Sequence, residues 1–104
     1  MNNAYKVPEE DRERYSGIIC SYLDSRGRET LSFRSNSKDK VASLADNNPN
    51  SYYNLAAEAC RYMKQELIVN IRSGGMSNLV DVLQRWDQDE AYAEKKAKGL
   101  EAKL

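Results

Sequence analysis

The clearest hydrophobic pattern in the chain lies in its second half, between residues 51 and 72. Apolar side chains recur there at intervals of three and four residues, the spacing that places them on one face of an α-helix. Asn50 or Ser51 can cap the start of this run, and Gly74 and Gly75 can end it. The pattern predicts a helix over Ser51–Arg72 whose inward face carries Tyr53, Ala56, Ala57, Cys60, Met63, Lys64, Leu67 and Ile71.

A second amphipathic pattern begins directly after the glycine pair. Ser77 or Asn78 can cap this helix, which we predict to extend over Ser77–Glu90. Because the connection is short, the two helices are expected to form an antiparallel helical hairpin. The apolar positions of the second helix are Leu79, Val82, Leu83 and Trp86.

The two ends of the chain lack such a pattern. Residues 91–104 have high helix propensity, but the apolar stripe stops at Trp86 and leaves them little to bury. We expect them to form a solvated extension or a frayed tail, and residues 1–7 to form a second flexible tail.

A third pattern, near the N-terminus, predicts a helix over Pro8–Ser25. Proline suits the first helical position, and the acidic residues that follow it complement the positive end of a helix. The apolar stripe consists of Tyr15, Ile18, Ile19 and Tyr22.

The same region has an alternative interpretation as a short β-hairpin at 18–34. In that case Ile18–Leu23 and Thr30–Phe33 would be strands joined across the sequence DSRGR. The second segment alternates between apolar and polar residues, but the first does not. We therefore favour a mainly α fold, a small helical domain built on the C-terminal hairpin, over an α+β fold.

A short helix is predicted between these regions, over Lys38–Asp46. Ser37 can cap it, and it ends before Pro49 because the residue that precedes a proline avoids helical geometry. Its inward side chains are expected to be Val41, Leu44 and Ala45.

Length and charge limit the classes of function. A chain of 104 residues has the size of a single domain. Lysine plus arginine equals aspartate plus glutamate, 16 each, and this zero net charge argues against a non-specific binder of polyanions. No apolar run approaches the roughly 20 residues that a membrane-spanning helix needs, so no membrane partner is expected.

The titratable residues give little support to catalysis. The chain has no histidine, the commonest general base and metal ligand. Cys20 and Cys60 are far apart and fit no disulfide framework or metal knuckle, so they are expected to be reduced thiols of a cytoplasmic protein. We predict no catalytic residues, no metal site and no cofactor.

The glycine pair lies in the sequence IRSGGMSN and has two interpretations. Arg72, the amides of Gly74 and Gly75, and Ser77 at the start of the next helix could form an anion site. The segment lacks the lysine–serine ending and the preceding strand of a phosphate-binding loop. A structural joint between two helices is the favoured interpretation.

A basic segment at residues 26–40 supports an alternative function as a nucleic-acid-binding regulator. Arginines could contact phosphates there, and the ring of Phe33 could stack on a base. A solvated linker explains the same charges and is favoured. The cations concerned are Arg26, Arg28, Arg34, Lys38 and Lys40.

The favoured function is a small non-catalytic protein that acts through protein–protein contacts, as an adaptor, inhibitor or regulatory subunit. Two long amphipathic helices need a third surface along their length, and one N-terminal helix is too short to cover them. The chain is therefore expected to self-associate through its helical hairpin. The residues predicted to form the protein interface are Tyr52, Tyr53, Met63, Leu67, Leu79, Leu83 and Trp86.

Overall fold

The computed structural model describes residues 5–26, 37–74 and 77–102. These residues form four helices and no strand, which confirms the mainly α fold. Ile18–Leu23 lies inside the first helix, so the alternative β-hairpin is not shown, and Thr30–Phe33 lies outside the described residues. The helices are α1 (Glu9–Arg26), α2 (Ser37–Asn47), α3 (Pro49–Gly74) and α4 (Ser77–Ala102).

The C-terminal half is the antiparallel helical hairpin that the sequence predicts. Residue numbers rise along α3 and fall along the facing part of α4. Near one end of the hairpin, the side-chain amide of Asn50 donates a hydrogen bond to the carbonyl oxygen of Ala97 at 2.7 Å. Further along the hairpin, the Lys64 ammonium group contacts the Asp87 carboxylate at 2.8 Å. The long hairpin gives the molecule its elongated shape, with extents of 51 × 29 × 20 Å.

The start of α3 differs from the predicted one. The helix begins at Pro49, and the side chain of Asn48 caps it by accepting a hydrogen bond from the Ser51 amide at 3.3 Å. The prediction that Asn50 or Ser51 is the cap was wrong. Proline tolerates the first helical position because its missing N–H would have no partner there, so Pro49 ends α2 and begins α3.

Helices α1 and α2 pack against one end of the hairpin and form a core with it. The predicted inward residues Tyr15, Ile19, Tyr22, Val41 and Ala45 are buried. Two others, Ile18 and Leu44, pack at the edge of the core and remain partly exposed. The core also contains Val7, Leu23, Tyr52, Tyr53, Ala56, Ala57, Ala59, Cys60, Ala93 and Ala97.

The C-terminal part of α4 contributes to this core. The helix continues to Ala102, and Ala93 and Ala97 are 0% and 3% exposed. Ala93 and Ala97 thus bury surface that the sequence pattern did not predict, and Val7 is 4% exposed, whereas residues 1–4 and 103–104 of the two predicted tails lie outside the described residues. Alanine is a weak hydrophobic signal in a sequence, but its small side chain lets two helices approach closely.

The buried carboxylate of Asp11 joins three parts of the fold. Its Oδ2 accepts hydrogen bonds from the hydroxyls of Tyr53 on α3, at 2.8 Å, and Tyr92 on α4, at 2.9 Å. Its backbone oxygen accepts a third, from Tyr52, at 3.0 Å. Asp11 itself lies in the first turn of α1, where a negative charge favours the helix.

The phenols around Asp11 remain donors over a wide pH range. Burial and the hydrogen bonds with Tyr5 and Asp11 raise the pKa of Tyr53 above its ordinary value, and burial and Asp11 raise that of Tyr92. Lys96 lies 5.5 Å from the centre of the Tyr92 ring and 5.8 Å from that of Tyr5, a cation–π arrangement that covers the cluster.

We predict that Asp11→Asn lowers the free energy of unfolding by about 1–3 kcal/mol, because one buried acceptor for two phenols is weakened. Urea unfolding followed by circular dichroism measures the change. Glu10→Gln is the matched control, since Glu10 is exposed in the same turn of α1 and should lose only its favourable interaction with the helix end. Equal effects of the two substitutions would contradict the role given to Asp11.

A second prediction concerns the C-terminal half of α4. Ala93→Leu should destabilise the protein by about 1–3 kcal/mol, because the added atoms have no space in a packed core. Ala91→Leu, two positions earlier and exposed, should change stability by about 0.5 kcal/mol or less. Thermal unfolding of both variants makes the comparison, and similar melting temperatures would show that this part of α4 is not packed as described.

Candidate protein-interaction site on the hairpin arm

The half of the hairpin that leads to the connection between its helices extends past α1. We call residues 63–74 of α3 and 77–88 of α4 the hairpin arm, and the rest of the hairpin its base. The hydrogen bonds and ion pairs that the described residues form between α1 and α4 reach Asp89 and go no further toward the arm. At the helical rise of ~1.5 Å per residue the arm is about 18 Å long.

One side of the arm is apolar and continues the side of the base that α1 covers. Positions three or four residues apart share one side of a helix, so Met63 and Leu67 follow Ala59 and Cys60 along α3. On α4 Trp86 and Val82 follow Ala93 in the same way. We call this surface the arm face; it consists of Met63, Leu67, Leu79, Val82 and Trp86.

The arm face is less buried than the same side of the base. Within the described part of α3 and α4, every fully buried side chain belongs to the base, whereas all five residues of the arm face are partly exposed. Among the described residues, the base has α1 as a third element of its core, and the arm has only its two helices. Apolar area therefore stays in contact with water along the arm.

The opposite side of the hairpin is closed by a network of charges. Arg61 contacts Glu90 at 2.9 Å and Glu94 at 2.7 Å, and Lys64 contacts Asp87 at 2.8 Å and also Glu90. Burial acts to raise the pKa of Glu90, but the hydrogen bonds from Lys64 and Arg61 outweigh it and hold that pKa below its ordinary value. These contacts fix the register of the two helices.

An open groove of about 460 Å³ lies beside these charges. Apolar side chains, among them Ile68 at 41% exposure, meet charged ones along it. The groove is lined by Arg61, Lys64, Gln65, Ile68, Leu83, Gln84, Asp87 and Glu90.

The structure divides the predicted interface residues into three groups. Tyr52 and Tyr53 are 0% exposed in the core, so they are not available to another molecule and the prediction is corrected for them. Leu83 lines the groove on the charged side. The remaining four lie together on the arm face: Met63, Leu67, Leu79 and Trp86.

The hydrophobic pattern placed Tyr52 and Tyr53 in the predicted interface because it does not distinguish the base from the arm. Val82 belongs to the predicted apolar stripe and lies on the arm face, although it was not among the predicted interface residues. Ile68, Val69 and Val80 are 41%, 58% and 46% exposed. These apolar residues lie outside the buried stripes that the sequence pattern predicts.

The basic segment of the alternative function is described only in part. Arg28 and Arg34 lie outside the described residues, and so does the side chain of Arg26, the last residue of α1. Lys38 and Lys40 are exposed in the first turn of α2. The described residues thus present two of the five cations, with Asp39 between them.

The candidate anion site falls mostly outside the described residues. Gly75 is not described, and neither are the side chains of Arg72 and Ser77. α3 ends at Gly74 and α4 begins at Ser77, and the two residues between them lie outside the described residues.

The described residues contain no group of three or more side chains suited to hold a metal ion, and none of their helices has the length and apolar content of a membrane span. Both cysteines are free. Burial and the nearby carboxylates of Asp89 and Glu90 raise the pKa of the Cys60 thiol to about 12, so this thiol is poorly reactive.

The lowered pKa of Glu90 predicts a dependence of stability on pH. Its ionic contacts stabilise the fold above the pKa of an unfolded glutamate and are lost as the pH falls through the lower folded value. Glu90→Gln should cost about 0.5–1 kcal/mol at pH 7, and the difference from the parent protein should vanish in acid. Urea unfolding at a series of pH values tests this. Glu94→Gln is the control: with one ionic contact and a more exposed side chain, it should show a smaller difference from the parent protein. A cost of Glu90→Gln that is the same at every pH would contradict the role given to the ionised Glu90 carboxylate.

Comparison of the chain with protein-family models, with curated proteins and with solved structures found no match.

Proposed function

We propose that this chain is a non-catalytic protein that acts through protein–protein contacts, as an adaptor, inhibitor or regulatory subunit, and that it self-associates through its hairpin arm. The observation that carries the proposal is the arm face, whose five apolar residues are all partly exposed, whereas α1 covers the same side of the base. A cytoplasmic location is part of the proposal, in keeping with the two free cysteines.

The composition of the arm face suits binding to a protein. Trp86, Met63 and Leu67 offer large apolar side chains on rigid helices, and tryptophan is among the residues that most often dominate binding energy. Their partial exposure leaves apolar area to bury, at about 25 cal/mol per Å². Contact with another apolar surface would remove this area from water without a change in the fold.

Self-association needs no second component, because any copy of the chain carries the same arm face. The zero net charge favours it, since no overall repulsion keeps two copies apart. The charge network on the other side of the arm makes that side a poorer candidate, because Arg61, Lys64 and Glu90 already satisfy one another.

The proposal is tested by sedimentation equilibrium over a range of micromolar concentrations. We expect the average mass of the parent protein to rise with concentration, and Val82→Asp to remain a monomer because it places a charge in the arm face. Val80→Asp is the matched control: the same change, two residues away on the exposed outer side of α4, should leave association unchanged. Circular dichroism verifies that both variants are folded.

A parent protein that stays strictly monomeric up to about 100 μM, well above the concentrations at which specific complexes form, would end the proposal of self-association. Equal association of the Val82→Asp and Val80→Asp variants would show that the arm face is not the contact surface.

A further inference from the structure

Helix α1 limits how two arms can meet. It lies on the same side of the hairpin as the arm face and forms a layer on the base, about 8–10 Å thick by the usual separation of packed helices. If two copies met face to face with their arms in the same direction, the two α1 helices would occupy the same space. The arm faces could not then come into contact.

The opposite orientation removes this conflict. With the two arms antiparallel, the arm of each copy lies in the same layer as α1 of the other copy. The arm ends at the point where that α1 helix begins. The arm is about 18 Å long, and among the described residues the space beside α1 on the other copy extends over the same length. The twofold axis must then cross the middle of the arm, close to residue 83 of α4.

The charges on α4 are arranged symmetrically about that same point. Asp81 and Arg85 lie on either side of residue 83, on the outer edge of the arm face, and both are exposed. Neither forms an ion pair with another residue in the described part of the chain. About a twofold axis at residue 83, Arg85 of each copy lies opposite Asp81 of the other.

The layer formed by α1 favours the antiparallel orientation, and the positions of Asp81 and Arg85 fit the same axis. We infer that two copies of the chain form an antiparallel dimer in which the arm of each fills the step beside α1 of the other, with reciprocal Asp81–Arg85 ion pairs between the two α4 helices. This inference rests on the proposed self-association and specifies its geometry.

The apolar contacts fit the same axis. On an antiparallel pair of α4 helices centred near residue 83, Trp86 of one copy faces Leu79 of the other, and the two Val82 side chains lie close to the axis. An overlap confined to two arms of about 18 Å makes a small interface, at the lower end of the sizes seen for specific complexes. A dimer of micromolar affinity is the expected result.

Charge reversal tests the reciprocal ion pairs. Asp81→Lys places a lysine opposite Arg85, and Arg85→Glu places a glutamate opposite Asp81, so each variant alone should dimerise about tenfold more weakly than the parent. In an equimolar mixture of the two variants, every 81–85 contact of a mixed dimer joins opposite charges. The mixture should recover association to within about threefold of the parent, with mixed dimers in excess.

Sedimentation equilibrium measures the affinities, and native mass spectrometry distinguishes mixed from like dimers. Rescue on mixing cannot arise from an ion pair within one helix, because each chain in the mixture still carries its own mismatch. If neither variant weakens the dimer, or if both do and mixing restores nothing, the inference is overturned while the proposed self-association stands. A monomeric parent protein would instead remove the proposed function itself.

Crosslinking provides a second measurement that does not depend on charge. In a Cys20→Ser background, Val82→Cys should be joined to its copy by a short bismaleimide, and Val80→Cys on the outer side of α4 should not. Cys60 is buried with a raised pKa and gives no background product. Equal crosslinking of the two variants, or crosslinking of Val80→Cys alone, would exclude the antiparallel arrangement.

Discussion

The hydrogen-bonded carboxylate of Asp11 ties α1 to both helices of the hairpin, together with the buried apolar side chains of α1, and the division of the hairpin into base and arm follows from that position. A buried carboxylate is costly unless donors surround it, and the hydroxyls of Tyr53 and Tyr92 supply them from the two helices of the hairpin. Their raised pKa values keep both phenols protonated. α1 is thereby held at one end of the hairpin, and the other end is left as an arm.

Base and arm use the same helical pattern with different side chains. In the base, small residues such as Ala57 and Ala93 lie in the core, and the helices are covered by α1. In the arm, Met63, Leu67 and Trp86 take the corresponding positions and stay partly exposed. Tyr52 and Tyr53 are also large, but among the described residues they lie under the cover of α1, whereas the three arm residues do not. Under the proposed function, the arm is the part that contacts another copy of the chain.

Much of the fold could be predicted from the sequence, because helix length and hairpin topology follow from periodicity, proline and glycine. The site could be predicted only in part. The apolar stripe of α3 runs without a break from Tyr53 to Leu67, and nothing local marks the point where α1 stops covering it. The contribution of Ala97 was missed because a single methyl group is recognisable as core only once its neighbours are known.

The Asp11 cluster joins residues 81 positions apart in the chain. Tyr92, in the C-terminal half of α4, is synthesised 81 residues after Asp11. While the chain is growing, α1 therefore has no complete binding site, and closure of the core waits for the C-terminal helix. Such distant contacts slow folding, because a long loop must close before they form. The order of synthesis thus makes the last helix the element that completes the fold of the first.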